Sequence, residues 1–119
     1  MFKVEVLDKP KKVVLLKWDG VISKEEVADS NNKLEETIKG LGTPFRLLVD
    51  TSGMKLIKPD ALEDFTKQQL QFLSRIDRLG VVNTSQLTKL QLRKMSEKAQ
   101  NEQENFFTSY EDALAFLKA

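Results

Sequence analysis

The chain has 119 residues, one domain's worth, with 40% hydrophobic and 31% charged residues and a formal net charge of +1. That balance marks a folded chain rather than a disordered one, and it argues against a nucleic-acid binder, whose affinity comes from many phosphate contacts. Cysteine and histidine are both absent, which removes disulfides, thiol nucleophiles, cysteine-based zinc sites and the commonest general base and metal ligand.

Phe2, Val4 and Val6 alternate with Lys3 and Glu5, the period-two pattern of a half-buried strand. Asp8 to Lys11 reads as a turn around Pro10. Val13 to Trp18 predicts a second strand, paired antiparallel with the first as a hairpin and ended by Asp19-Gly20. Ser23-Lys-Glu-Glu26 is a capping box that opens a helix to about Lys39. Its core stripe is Val27, Leu34, Ile38 and Leu41, interrupted by Asn31, and Gly40 or Gly42 ends it.

Phe45 to Val49 is a nearly continuous apolar run broken by Arg46, which suits a central parallel strand covered on both faces. Asp50-Thr51-Ser52-Gly53 then reads as a turn. Pro59 fits the first turn of a second helix, and Leu62, Phe65, Phe72, Leu73 and Ile76 keep helical spacing to about Arg75. Leu79 to Val82 predicts a fourth strand. Thr84 or Ser85 caps a third helix to about Ala99, with Leu87, Leu90 and Met95 inward and Lys89, Arg93, Lys94 and Lys98 outward. Asn105 to Thr108 predicts a fifth strand, and Ser109 with Asp112 caps a last helix, Tyr110 to Lys118.

The order β-β-α-β-α-β-α-β-α predicts one α/β domain over residues 1–119. Its sheet is five-stranded and mostly parallel, with an antiparallel N-terminal edge strand and right-handed crossovers. The N-terminus has no continuous apolar segment of the secretory kind, and the apolar runs are too short to span a bilayer. A cytoplasmic location is expected.

Asp50 to Gly53 admits two readings. One is a regulatory turn at a strand's carboxyl end, with phosphorylatable Thr51 and Ser52. The other is plain turn chemistry that satisfies loose amides. Asp60, Glu63 and Asp64 at a helix start offset the helix dipole, each by about 0.3–1 kcal/mol, and need no catalytic role. The cationic strip Lys89, Arg93, Lys94 and Lys98 reads as a solvated face, or as a surface for an acidic partner or an anionic membrane. Trp18 reads as core or rim packing. Gly40-Leu-Gly42 leads into a strand, so it is no phosphate loop. No catalytic residue, metal or cofactor is expected.

Val13-Val-Leu-Leu-Lys-Trp-Asp-Gly20, the helix from Ser23, Leu47-Leu-Val-Asp-Thr-Ser-Gly-Met54 and the closing Ser109-Tyr-Glu-Asp-Ala-Leu-Ala-Phe-Leu117 together resemble the SpoIIAA-like branch of the STAS domains. The resemblance covers Phe2 to Leu117 and implies a β-α superhelix. It also implies a non-enzymatic regulatory domain that binds a protein partner. STAS anti-anti-sigma factors bind an anti-sigma kinase, and phosphorylation of a serine that starts the second helix turns binding off. That position falls on Asp60 within Lys58-Pro59-Asp60-Ala61-Leu62, which a serine kinase does not modify; Ser52 and Thr51 are the substitutes nearby. The implied binding and regulatory residues are Asp50, Thr51, Ser52, Lys58 and Asp60, in a loop over residues 50–62 with the helix after it. The branch also resembles CRAL-TRIO lipid-binding domains in topology. The rival reading is therefore an apolar small-molecule or lipid carrier, with a pocket lined by Met54, Leu56, Ile57, Phe65 and Phe72. Self-association as a homodimer is a further expectation.

Overall fold

Alternation at Phe2, Val4 and Val6 builds β1 (Phe2–Asp8), which pairs antiparallel with β2 (Val13–Ile22) in the computed structural model, which describes residues 1–83 and 104–119. β3 (Phe45–Ile57), β4 (Ile76–Val82) and β5 (Glu104–Phe107) follow in parallel, in the spatial order β1-β2-β3-β4-β5. Among the described residues, three helices accompany the sheet: α1 (Lys24–Leu41), α2 (Pro59–Leu73) and α3 (Tyr110–Lys118). The α/β class, the antiparallel edge strand and the central place of Phe45 to Val49 are as predicted. The helix expected from Thr84 or Ser85 to Ala99, with its basic strip, lies outside the described residues.

Local chemistry sets the helix ends. Ser23 Oγ accepts the Glu26 amide, and Ser109 Oγ accepts the Asp112 amide, which satisfies one loose amide at each helix start. α1 runs past Gly40 and stops at Gly42, whose φ of +93° suits a residue without Cβ. The Gly42 amide donates to Ile38 O at 2.7 Å. α2 starts at Pro59 with no side-chain cap at Lys58.

Two strands run past their expected ends. Asp19-Gly20 does not end β2, because Gly20 at φ +72° is absorbed at a register shift and the strand continues to Ile22. Asp50-Thr51-Ser52-Gly53 does not end β3 either; the strand has 13 residues and reaches Ile57. The loop expected over residues 50–62 is therefore strand through Ile57 and helix from Pro59. β4 also starts earlier than expected, at Ile76 rather than Leu79.

The sheet has an apolar layer on each face. Leu16 and Trp18 of β2 and Leu47 and Val49 of β3 meet Leu34 of α1 and Phe65 of α2. On the other face Val13, Leu15, Leu48 and Val82 meet Ala113 and Leu117 of α3. Trp18 anchors the larger layer, with ring centroids 5.4 Å from Phe65 and 5.9 Å from Phe2. Fully burying a large apolar side chain of this kind contributes about 1.5–3 kcal/mol.

Candidate functional site

β3 outruns its neighbours. Its pairing with β4 ends at Asp50 opposite Val82, while its pairing with β2 continues to Ile57 opposite Ile22. On the other side the β1–β2 ladder ends with Met1, which exchanges backbone hydrogen bonds with Asp19. Beyond that line, residues 20–22 and 54–57 form a two-stranded parallel ribbon among the described residues. Two bulges on β3 shape it. The pairing steps from Lys17–Asp50 to Asp19–Gly53, and from Gly20–Met54 to Val21–Leu56, so β3 spends an extra residue each time.

The bulges decide where each side chain goes. Met54, Ile57 and Ile22 are buried in the helix-covered layer. Val21 and Leu56 sit opposite each other and stay 45% and 40% exposed. Ser52, Lys55, Lys58 and Asp60 are exposed too. The Lys58 amide donates to Ile22 O at 3.0 Å, which ties the ribbon's end to the start of α2. Asp19 lies close against Gly53: a Cβ there would sit 1.9 Å from Asp19 Oδ1.

Asp50 and Thr51 are structural in this setting. Asp50 is 5% exposed, and its Oδ1 accepts the Ser52 amide at 2.9 Å. Thr51 is fully buried, and its hydroxyl donates to Val82 O, at the last residue of β4, at 2.7 Å. A kinase reaches an exposed hydroxyl, so Thr51 drops out as a modification site and Ser52 stays. The five residues expected in one loop are spread along the strand instead. Asp50 and Ile57 are separated by about five strand steps of β2, or about 17 Å, and Lys58 and Asp60 lie beyond.

Tyr110 joins this region from the first residue of α3. Burial raises its phenol pKa, the charges of Glu5 and Asp50 raise it further, and Lys3 opposes them. The phenol therefore stays protonated at neutral pH. The sequence alone marks Leu56 as a pocket residue and does not single out Val21 or Tyr110 as a site feature; the one available signal for the exposed pair was an apolar residue next to each turn-like cluster.

The apolar set does not gather around one pocket. Phe65 and Phe72 border a cavity of about 30 Å³ that also touches Trp18, Leu34 and Gln68. That is room for about one water molecule. Met54 and Ile57 are buried outside its lining, and Leu56 is exposed. Of the five residues expected to line a lipid pocket, Met54, Leu56, Ile57, Phe65 and Phe72, this cavity brings together Phe65 and Phe72 alone. Gln68 Nε2 instead donates to Ser30 Oγ at 2.7 Å, a buried polar tie between α2 and α1.

Among the described residues, no group of acidic side chains is placed to hold a metal ion, and no helix is long and apolar enough to cross a membrane.

Comparison with known proteins fits this architecture. An uncharacterised protein of the DUF3478 family from Shewanella loihica PV-4, with a SpoIIAA-like fold, is 20% identical, with a TM-score of 0.75 over 98% of this chain and 92% of that one. The anti-sigma factor antagonist SpoIIAA in its unphosphorylated form is 13% identical, with a TM-score of 0.71 over 100% and 99%. The Bacillus cell fate determinant SpoIIAA in the phosphorylated form is 12% identical, with a TM-score of 0.70 over 98% and 99%. At these identities the likeness is one of fold. None of the curated proteins matches the sequence. The family model described as SpoIIAA-like matches residues 13–118, nearly the whole strand–helix series described above, and the chain belongs to the SpoIIAA-like family.

Proposed function

We propose that this chain is a single, non-enzymatic STAS-type regulatory domain that acts in the cytoplasm by binding a protein partner. The partner docks on the exposed face of the β2–β3 ribbon and on the start of α2. The observation that carries this reading is the pair Val21 and Leu56, two apolar side chains held side by side in solvent. Ser52, Lys55, Lys58 and Asp60 are exposed along the same strand and at the start of α2, and add charge and hydrogen-bonding groups. An apolar centre with a polar rim is the usual anatomy of a protein interface. One solved protein of this fold, SpoIIAA, is named as an anti-sigma factor antagonist, so the partner class that fits is a regulatory protein of the anti-sigma kind.

Asp60 supports a particular form of the reading. It holds a carboxylate in the first turn of α2, where a serine kinase has no substrate, so docking here is constitutive or is controlled through exposed Ser52. The absence of histidine and cysteine favours binding over catalysis.

Affinity capture tests the proposal. Leu56→Asp and Val21→Asp each place a charge in the apolar centre and should lower capture of the same partner at least tenfold, equivalent to about 1.4 kcal/mol. Asp60→Lys combined with Glu63→Lys should weaken it as well. Thermal melts of the variants check folding, since exposed substitutions usually stay within about 0.5 kcal/mol of the parent. Undiminished capture by all of them would remove this surface.

A further inference from the structure

β1 has no strand on its outer side among the described residues. Its backbone phase is fixed by its inner neighbour. Met1 N donates to Asp19 O at 2.8 Å, and Asp19 N donates to Met1 O at 2.7 Å, a fully exchanged pair. In an antiparallel ladder such pairs recur at every second residue. With the register Phe2–Trp18 to Val6–Val14, Lys3 and Glu5 turn their N–H and C=O towards β2. Phe2, Val4 and Val6 therefore aim theirs outwards.

The side chains follow the same alternation. Phe2 and Val4 border an open groove between β1 and α1 whose rim carries Asp29, Lys33 and Glu36. Val6, which borders the continuation of that groove, is 40% exposed. Lys3 and Glu5 share the opposite face and pair with each other at 3.2 Å, both well exposed and free to exchange partners.

We propose that two copies of this chain join β1 to β1, antiparallel, about a two-fold axis at Val4, to form one continuous sheet. A two-fold contact presents the same surface from both copies. Three centres keep the outward backbone groups facing each other: Lys3, Val4 and Glu5. An axis at Lys3 sets that ammonium against its own copy, and an axis at Glu5 does the same to the carboxylate. An axis at Val4 sets each Lys3 opposite the partner's Glu5, twice over. It also sets Val4 against itself and Phe2 opposite the partner's Val6, with about six new backbone hydrogen bonds, two for each of three facing pairs. Directly opposed unlike charges stabilise a strand pair and like charges oppose it, so the charge pattern selects one register. The groove beside α1 then closes over the apolar side chains of both copies. This surface is separate from the β2–β3 ribbon, and its test does not depend on any regulatory partner.

Sedimentation equilibrium at low salt decides the matter. The full chain should sediment at about twice its 13.6 kDa mass. Val4→Pro removes an outward N–H at the axis and should weaken association at least tenfold. An edge strand tolerates proline where the N–H faces solvent, and circular dichroism confirms that the variant is folded. Lys3→Glu and Glu5→Lys should each weaken self-association by a similar factor. The double variant Lys3→Glu/Glu5→Lys should restore it. An equimolar mixture of the two single variants should form the mixed dimer, whatever the fate of the proline variant. A wild-type chain that stays at monomer mass at several hundred micromolar would overturn the proposal. So would a dimer that the charge variants leave unchanged.

Discussion

Thr51 and Ser52 stand side by side, and the structure assigns them opposite fates under substitution. Thr51 is fully buried, and its hydroxyl donates to Val82 O at 2.7 Å. Thr51→Val keeps the shape and strips that carbonyl of the donor. A buried polar group that loses its partner costs about 1–3 kcal/mol, and the added methyl returns about 0.8 kcal/mol of transfer energy. The net destabilisation is then about 0.2–2.2 kcal/mol, against a total of about 6–18 kcal/mol for a chain of this length at the usual stability per residue. In melting temperature that is a fall of about 1–9 °C, at about 4 °C per kcal/mol for a domain this size. Ser52 is exposed, and Ser52→Ala should fall within about 0.5 kcal/mol of wild type. Urea unfolding followed by circular dichroism separates the two. Equal midpoints for the two variants, or a Thr51→Val chain as stable as wild type, would refute the claim that this hydroxyl ties β3 to the end of β4.

Two more perturbations address the rest of the fold. Arg46 Nη1 donates to Leu117 O at 2.6 Å and Ala119 O at 3.1 Å, and Arg78 Nη1 donates to Phe116 O at 2.9 Å and Ala119 O at 2.8 Å. These cations satisfy the last carbonyls of α3 and oppose its dipole. Arg46→Met or Arg78→Met should each cost about 1.5–3 kcal/mol in urea unfolding, and the double variant should cost less than the sum because both share Ala119 O. Glu35 and Arg75 form a two-pronged bridge at 2.7 and 3.0 Å. Hydrogen bonds from Arg75 hold the Glu35 carboxyl below its ordinary 4.5, against the opposing effect of burial, with Gln71 helping. A carboxyl whose folded pKa lies below its unfolded pKa stabilises fully above the unfolded value and loses that contribution as pH falls through the folded one. Glu35→Gln should therefore lower the melting temperature slightly at pH 7 and leave it unchanged at pH 2. Solvent and salt screen so exposed a pair to within about 1 kcal/mol.

Short-range chemistry was legible in the sequence. The boxes at Ser23 and Ser109, the proline at the start of α2 and the period-two run of β1 each depend on residues a few positions apart. The interruptions were misread for a physical reason. Asp19-Gly20 and Asp50-Thr51-Ser52-Gly53 carry the residue types of turns, and bulges use the same types for the same backbone freedom. What keeps the chain extended is non-local: the continuing ladder between β2 and β3, and the Thr51 hydroxyl bonded to Val82. The exposed pair Val21 and Leu56 was hidden by the same bulges. Each adds a residue that reverses the inside–outside alternation, so a regular reading of the strand puts the wrong side chains in solvent. The small cavity by Trp18 depends on how α1 and α2 settle on the sheet, which spacing alone does not encode.

The uneven thickness of the two apolar layers has a consequence for how the molecule breathes. α3 has nine residues, too few to persist unaided in water, and it is anchored largely by a few contacts and the guanidinium clamps at its end. Native-state hydrogen exchange should find its amides, with those of neighbouring β5, opening at a free energy well below that for global unfolding. The amides shared by β2 and β3 beneath α1 and α2 should exchange only when the whole chain unravels.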